Sequence, residues 1–389
     1  MISILLLGII YLAFISLGLP DSILGVAIPG MQVQWGISLS SGGLIAMIAV
    51  CGTVISSMAS SYVIEKLGTG KITFLSCLVT GGALLGFSFA PAYFWLLLLA
   101  LPLGLGAGSV DAALNNYVAL HFKAHHMNWL HSFWGVGATL GPLIMGAMLV
   151  NNGWQMGYRT IGVIQLSLAV LLLLSLPLWK RHRPEVQTFV EPEASEAVSE
   201  SVMRRRGVKE ALLIMMLYCS VESGVGLWGS SFLIQVRSYS VESAATWMAM
   251  YYGGITLGRF FSGFFSFRFN NTQMIRGGAI LSLLGALLLV LPLPAIATGF
   301  ILILIGLGLS PIFPAMLHET PVRFGSEVSQ KVIGYQMGFG YIGSAVIPPL
   351  MGLLVQQFGM SLLPLLISSV AAILLLLSER INRVLDRVR

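Results

Sequence analysis

The chain has 389 residues, of which 56% are hydrophobic and only 9% charged, which excludes a soluble globular protein and indicates an all-α polytopic membrane protein. Its formal net charge of +6 reflects membrane topology rather than nucleic-acid binding, because the excess lies in loops beside apolar segments. Cys51, Cys77 and Cys219 lie inside apolar runs with neither paired nor metal-ligand spacing, so we expect no disulfide framework, no metal and no cofactor.

Twelve apolar segments are long enough to span a bilayer at about 20 residues each. The predicted spans are 2–28, 38–62, 71–90, 93–119, 128–150, 158–180, 208–234, 243–264, 272–294, 296–317, 330–354 and 359–380. The first is predicted to be an uncleaved helix, since no basic region precedes its apolar run. The predicted domains are an N-terminal six-helix bundle (1–180), a flexible cytoplasmic linker (181–207) and a C-terminal six-helix bundle (208–389).

Lysine and arginine residues of the loops fall almost entirely on one side of an even-span arrangement, and only Arg159 and Arg237 fall on the other. Because basic loops remain in the cytoplasm, this asymmetry places both termini and the linker there. We therefore expect a multi-pass protein of the plasma or inner membrane. Its expected partners are the lipid bilayer, a small-molecule substrate and a proton, with no nucleic acid, and we expect a monomer.

Three motifs recur in corresponding spans of the two halves at nearly the same separation along the chain. They are Pro20-Asp21-Ser22 with Val221-Glu222-Ser223, Gly104-Leu105-Gly106 with Gly306-Leu307-Gly308, and Pro142 with Pro348. Chance produces one such match in apolar, glycine-rich sequence, but three at similar separations indicate a duplicated six-helix unit. The fold class predicted is therefore twelve transmembrane helices in two six-helix pseudo-repeats.

Two such repeats joined by a cytoplasmic linker resemble the major facilitator superfamily. The segment from Ser61 to Lys71 resembles that superfamily's G-x-x-x-D-R-x-G-x-R-K loop, with Glu65 and Lys66 at its acidic and basic positions. A second copy ending at Arg268 has Phe267 where the acid belongs. Four stretches further resemble the fucose-galactose-glucose proton symporter family: GLGAGSVDAALNNYV, LYCSVESGVGLWGSSFL, GGITLGRFFSGF and GLGLSPIFPAMLHE.

Acidic residues within the apolar spans are the first functional candidates. A carboxylate near the bilayer centre costs about 2.5 to 3.5 kcal/mol on insertion scales, so Asp111 needs a partner, a cavity or a function. Asn115 lies one turn further on the same face, while Asn116 is offset from it. Members of the symporter family carry membrane carboxylates in helices 1 and 4, and the resemblance implies that Asp21 and Asp111 couple transport to protons.

Purely structural roles remain open for both acids. Asp21 would also suit the outer end of its span, and Asp111 would also suit a helix contact in which its hydrogen bonds are satisfied. Glu222 occupies the place equivalent to Asp21 and is the third proton-coupling candidate. A carboxylate there also accepts hydrogen bonds from hydroxyl groups, and the face of Trp228 suits the C–H face of a sugar ring. Alternatively, Glu222 bridges to the other half and Trp228 anchors at the outer interface.

Further substrate-binding candidates lie in the fifth and eleventh spans. His131 and Trp134 are three residues apart and so share a helix face. His131 either relays protons or stays neutral and hydrogen-bonded. Gln336 is a polar counterpart in the second half, and Asn115 and Asn116 complete the predicted binding set.

A buried arginine indicates a gate. Arg259 carries a permanent charge that demands a partner, for which Glu319 is the candidate, unless the guanidinium snorkels to the surface. Such a pair would close the inner side when the cavity faces outward. Glu65 and Lys66 are the remaining gating candidates.

These features predict a secondary active transporter that moves a small polar solute, with a monosaccharide favoured, inward with a proton by alternating access. A second reading comes from Gly137-x-x-x-Gly141-Pro142, which resembles the helix 5 signature of drug–proton antiporters and makes a proton-coupled drug or metabolite exporter the alternative. Small residues at this spacing also allow close helix packing. The sequence shows no Walker A motif, metal-ligand cluster or nucleophile with a positioned base, so we expect no enzyme.

Overall fold

The computed structural model describes residues 2–122, 124–180, 202–265 and 268–386, and these residues are largely helical. Its helices are α1 (Ile2–Asp21), α2 (Leu24–Trp35), α3 (Ser40–Leu67), α4 (Thr69–Phe89), α5 (Tyr93–His121), α6 (Ala124–Asn151), α7 (Trp154–Lys180), α8 (Val208–Arg237), α9 (Val241–Phe265), α10 (Asn271–Leu288), α11 (Ala295–Leu309), α12 (Ile312–Phe324), α13 (Ser326–Phe358) and α14 (Leu363–Asp386). Ten helical segments in the described ranges are long and apolar enough to cross a membrane. Helices α9 and α10 cover the two remaining predicted spans. Most of the predicted linker, and Phe267, lie outside the described residues.

Two predicted spans are each broken into a pair of helices. The first span divides at Ser22–Ile23 into α1 and α2 and continues to Trp35, and the tenth divides at Ser310–Pro311 into α11 and α12. A proline precedes or occupies each break, and proline removes a backbone N–H and clashes with the preceding turn. The first break leaves Asp21 at the last position of α1.

Glycines set other helix ends beyond the predicted boundaries. Gly36 ends α2 in a left-handed conformation with φ 62°, where its N–H donates to the Gln32 carbonyl. Only Gly68, with φ 78°, separates α3 from α4. The prediction that Glu65 and Lys66 lie in a loop is therefore wrong, because both belong to the last turn of α3.

The helices form two packed groups. In the first, α1 packs against α6, α3 against α5, and α4 against α5 and α7. In the second, α8 packs against α13 and α14, α9 against α11, and α10 against α11 and α14. The two groups meet where α6 contacts α9, α3 contacts α13, and α2 contacts α8.

The contacts also define two sides of the molecule. The ends of α7 and α8 that flank the predicted linker mark the linker side. Trp154, at the opposite end of α7, donates a hydrogen bond of 2.8 Å to Gln34 near the end of α2, which places this end of α2 on the distal side. Gly207 packs against Ile381 and Leu385 near the end of α14, so α14 ends on the linker side.

Matching glycines allow equivalent helices of the two groups to approach closely. The contacts are Gly104 on Ala49, Gly306 on Tyr251, Gly106 on Ser76 and Gly308 on Gly278. The first two join α5 to α3 and α11 to α9, and the other two join α5 to α4 and α11 to α10. A Cβ atom at these glycines would come within 3.0 Å of a backbone atom of the neighbouring helix, so glycine permits the observed separation.

The glycines of the antiporter-like signature have a packing role. Gly137 lies against the backbone of Ile15, and a Cβ atom added to Gly141 would lie 2.5 Å from the Leu19 carbonyl oxygen. In return, Gly18 of α1 lies against the backbone of Trp134 on α6. The spacing thus lets α1 and α6 approach closely, as small residues do in membrane bundles.

We predict that Gly104→Ala lowers the melting temperature of the detergent-purified protein, because the new methyl group would meet the Ala49 carbonyl oxygen. Overpacking of this kind costs about 1–3 kcal/mol. Gly82→Ala is the control, since Gly82 has open space around it and alanine favours helix by about 1 kcal/mol. Equal melting temperatures for the two variants would contradict the close approach of α5 and α3.

Candidate functional site

A cavity of about 390 Å³ lies between the two groups of helices. Six of the predicted site residues contribute to its lining: Asp21, Asp111, His131, Trp134, Glu222 and Arg259. They come from α1, α5, α6, α8 and α9, so the cavity collects polar side chains from both groups. The structure therefore brings together a set of residues that are up to about 240 positions apart in the chain.

An ion pair occupies the wall contributed by the second group. Arg259 of α9 contacts both carboxylate oxygens of Glu222 on α8, at 3.3 and 3.2 Å. Its guanidinium also donates to the Tyr218 hydroxyl at 2.9 Å, and that hydroxyl donates to Glu222. The side chains of Arg259 and Glu222 are only 13% and 16% exposed, so each charge depends on the other for compensation.

Arg259 and Glu319, the predicted gate pair, are not in contact in this structure. Glu319 lies on the linker side, where it contacts Arg323 at 3.7 Å one helical turn away on α12 and accepts a hydrogen bond of 2.9 Å from Asn271. Arg259 instead faces the cavity, where Glu222 is within reach. Sequence position along a span gives depth in the membrane but not the direction in which a helix face points.

Trp134 connects the first group to this ion pair. Its indole N–H donates a hydrogen bond of 2.8 Å to the Asp21 carboxylate, and the guanidinium of Arg259 lies over its ring at 5.3 Å from the centroid. The side chain of Asp21 is otherwise exposed to the cavity. One indole thus contacts a carboxylate of the first group through its edge and an arginine of the second through its face.

The second carboxylate of the first group is positioned by an amide. Asn115 donates a hydrogen bond of 2.9 Å to the Asp111 side chain, as the i, i+4 spacing predicts. Asp111 lines the cavity, whereas Asn115 does not, so the amide orients the acid rather than contacting the cavity. Asn116 is exposed and also lies outside the lining, which does not fit its predicted place in the binding site.

Two further predicted binding residues lie in helix contacts and not at the cavity. Trp228 is fully buried and donates a hydrogen bond of 2.7 Å to the Pro348 carbonyl, which joins α8 to α13. Gln336 is buried and accepts a hydrogen bond of 3.0 Å from Thr320, which joins α13 to α12. Both side chains use their polar groups in hydrogen bonds between helices, which the sequence does not reveal. Neither residue lines the cavity.

His131 reaches the cavity beside aromatic side chains. Its ring lies edge-on to Phe14 at 5.9 Å between centroids and is tilted by 59° against Phe313 at 6.4 Å. Because Phe313 belongs to α12, His131 contacts the second group of helices from the first. The gating candidates Glu65 and Lys66 are exposed at the linker-side end of α3, outside the cavity.

Hydroxyl groups of the lining were missed by the sequence analysis. Tyr218, Tyr341, Ser223 and Ser344 line the cavity, and the two serines share a hydrogen bond of 2.8 Å between α8 and α13. Tyr218 lies one helical turn before Glu222, so the i, i+4 rule would have identified it. Nothing in the spacing of Tyr341 and Ser344 distinguishes them from other polar residues of α13.

The cavity is closed by helix contacts on the distal side. The N–H of Ser40 at the start of α3 donates a hydrogen bond of 3.1 Å to the side chain of Gln356 near the end of α13. Gly43 packs against Pro349 one turn deeper, where a Cβ atom added to Gly43 would lie 2.9 Å from the Cα atom of Pro349. These contacts join the two groups on the side away from the linker.

Comparisons with known proteins match most of the chain. A model of the Major Facilitator Superfamily matches residues 10–345. "Bypass of stop codon protein 6" of Saccharomyces cerevisiae is 24% identical over 388 residues, covering 91% of this chain and 77% of its own length. The glucose/mannose transporter GlcP of Bacillus subtilis is 22% identical over 381 residues, covering 96% and 94%. The crystal structure of FucP in the outward conformation shares the fold with a TM-score of 0.66 at 16% identity, over 98% of this chain and 99% of that one.

We predict that Glu222 and Arg259 are strongly coupled in a double-mutant cycle of thermal unfolding. Arg259→Gln alone leaves a buried carboxylate without its counter-charge, a change that costs about 3–5 kcal/mol, and adding Glu222→Gln should recover part of the loss. The control cycle uses Arg276 and Glu379, whose side chains are 48% and 28% exposed. Such exposed pairs are worth about 0–1 kcal/mol, so equal coupling in the two cycles would contradict the interpretation.

Proposed function

The chain belongs to the Major Facilitator Superfamily of membrane transporters, and we propose that it carries a monosaccharide inward together with protons. Two six-helix bundles, residues 1–180 and 208–389, would alternate access to the cavity between them. We further propose that the protein acts as a monomer in the plasma or inner membrane, with both termini and the linker in the cytoplasm. This makes the linker side the inner side.

The observation that carries the proposal is that two carboxylates face the cavity with neutral partners. Asp21 accepts a hydrogen bond from the indole of Trp134, and Asp111 accepts one from the amide of Asn115. Neither acid has an arginine or lysine in direct contact among the described residues, so no fixed cation holds either one in its charged form. Each can therefore gain and lose a proton without breaking an ion pair, as a proton carrier must.

Glu222 is less suited to carry a proton than the sequence analysis proposes. Its carboxylate is held by Arg259 and Tyr218, and protonation would leave the guanidinium without a counter-charge. We propose that Glu222 keeps its charge through the transport cycle. Proton coupling then belongs to Asp21 and Asp111.

Several features of the cavity support a sugar as solute. A pyranose needs donors and acceptors that converge beside an aromatic face, and the lining combines Trp134 with the hydroxyls of Tyr341, Ser223 and Ser344. The volume of about 390 Å³ lies within the range of small-molecule sites. The relative from Bacillus subtilis is named as a glucose and mannose transporter and aligns with nearly the whole chain.

The two broken spans and the distal contacts support alternating access. Discontinuous helices frequently form the binding sites of such transporters, and here the first break lies beside Asp21. With the linker side in the cytoplasm, the contacts of Ser40 and Gly43 close the outer side, which describes an inward-facing state. In the outward-facing state Glu65 and Lys66 would contribute to closing the inner side.

Apolar side chains in the same cavity favour a second candidate function, the export of a lipophilic drug or metabolite in exchange for protons. Phe14, Leu17, Leu24, Phe87 and Phe313 all contribute to the lining. A broad apolar cavity suits lipophilic compounds better than sugars. The glycine signature of α6 adds no support, because its glycines serve the packing of α6 on α1.

We predict that wild-type protein in liposomes accumulates a labelled hexose under an inward proton gradient and loses this accumulation with a protonophore. A gradient of one pH unit supports up to about tenfold accumulation for each proton carried. Asp111→Asn should still exchange sugar across the membrane but should not accumulate it, because the amide cannot carry a proton. Glu242→Gln is the matched control, since Glu242 is exposed at the start of α9 and outside the cavity.

Accumulation by Asp111→Asn at the wild-type level would refute the role of Asp111 in coupling. The panel should include hexoses, pentoses and a lipophilic cation. Proton-driven movement of the cation without uptake of any sugar would establish the exporter instead.

A further inference from the structure

We propose that Glu222 determines the charge selectivity of the cavity: by occupying the guanidinium of Arg259, it makes the site select neutral solutes and reject carboxylates. The inference rests on the transport function proposed above, but it does not require that the solute is a sugar. It concerns Glu222 and Arg259, which do not themselves carry the proton in the proposed cycle.

Arg259 is the only lysine or arginine in the described lining of the cavity. Recognition of a carboxylate favours a guanidinium with free, parallel N–H donors. Here one terminal nitrogen of Arg259 already contacts both oxygens of Glu222, at 3.3 and 3.2 Å, and the Tyr218 hydroxyl at 2.9 Å. That nitrogen belongs to both edges at which a guanidinium can bind a carboxylate through two hydrogen bonds, and Nε, the other donor of one edge, is buried with no hydrogen-bond partner among the described residues. The protein's own carboxylate thus blocks two-point binding of a solute carboxylate.

Trp134 keeps the guanidinium in this place. Its ring lies under Arg259, with 5.3 Å between the guanidinium carbon and the ring centroid, and its N–H is bonded to Asp21. A flat cation stacked on an anchored indole loses packing when it swings away. The arginine is therefore fixed against Glu222 from two directions.

The remaining charges of the lining also disfavour an anion. The charges of Arg259 and Glu222 cancel each other. Asp21 and Asp111 are either neutral or negative, so these four groups together leave the cavity neutral or negative. His131 is the other group able to become positive. It packs edge-on to Phe14, in a cavity that already holds the permanent positive charge of Arg259. The other titratable groups of the lining are tyrosines and a cysteine, which are neutral near pH 7.

An anionic solute would consequently enter without a partner and beside up to two uncompensated like charges, those of Asp21 and Asp111. A buried charge without a partner is strongly disfavoured, whereas hydroxyl groups of a neutral solute find donors and acceptors on the same walls. Removing the charge of Glu222 alone would reverse the preference, because it frees Arg259, the one arginine in the described part of the lining.

The test compares Glu222→Gln with the wild type on two matched pairs of solutes in liposomes. The pairs are glucose with glucuronate, and 4-hydroxybenzyl alcohol with 4-hydroxybenzoate, so each contrasts a neutral compound with an acid of similar shape. We expect the ratio of acid to neutral uptake to rise about tenfold or more in Glu222→Gln, as expected for a gained charged hydrogen bond. Glu242→Gln should leave the ratio unchanged, and Glu222→Gln combined with Arg259→Gln should abolish the gain.

A second measurement requires no transported solute. Formate can replace the missing carboxylate beside Arg259, so millimolar formate should raise the melting temperature of Glu222→Gln and leave that of the wild type and Glu242→Gln unchanged. If Glu222→Gln is too unstable to purify without an anion, formate present throughout purification should restore it.

Each outcome separates this inference from the sugar hypothesis. Uptake of 4-hydroxybenzyl alcohol without uptake of glucose would refute the sugar and leave the charge selectivity standing. Preference of the wild type for the acid of either pair would overturn the selectivity proposal. So would equal responses of Glu222→Gln and Glu242→Gln to formate, even where no solute of the panel is transported.

Discussion

A permanently charged guanidinium inside an apolar helix bundle is the constraint on which the centre of this protein depends. Arg259 cannot lose its proton and is only 13% exposed, so the fold must supply compensation within a few ångströms. Glu222 supplies the opposite charge, Tyr218 a hydroxyl that bridges the pair, and Trp134 an aromatic face. Because Trp134 also binds Asp21, the same arginine that organises the second group of helices is connected to a carboxylate of the first.

The scaffold around this network is more symmetric than the network itself. Equivalent glycines bring α5 onto α3 and α11 onto α9, as a duplicated unit would. Asp21 and Glu222 occupy corresponding positions of the predicted repeat, yet Asp21 receives a neutral indole N–H whereas Glu222 receives a cation. The two acids therefore differ in their partners and not in their place in the fold. As a result, Asp21 lies on one wall of the cavity without a fixed counter-charge, and Glu222 lies on the other wall in an ion pair.

The sequence predicts the helical class and most span positions, because length and hydropathy are local properties. It misplaces the ends of α2 and α3, which depend on single glycines, and it misses the breaks that divide two spans. The insertion cost of acids directs attention to Asp21 and Asp111, both of which line the cavity, but helix rotation decides which other polar groups face it. Trp228 and Gln336 form hydrogen bonds between helices, and Arg259 points toward Glu222 and away from Glu319.

In the proposed cycle, fixed and titratable charges have complementary effects. When Asp21 and Asp111 are both protonated, the pair of Arg259 and Glu222 leaves the loaded cavity with no net charge, and a neutral cavity crosses a low-dielectric membrane core at the least electrostatic cost. Without Glu222, Arg259 would make the loaded cavity positive and would stabilise the deprotonated acids, so protons would bind less readily. In this proposal, the charge pair that turns anionic solutes away also allows two nearby carboxyl groups to exchange protons.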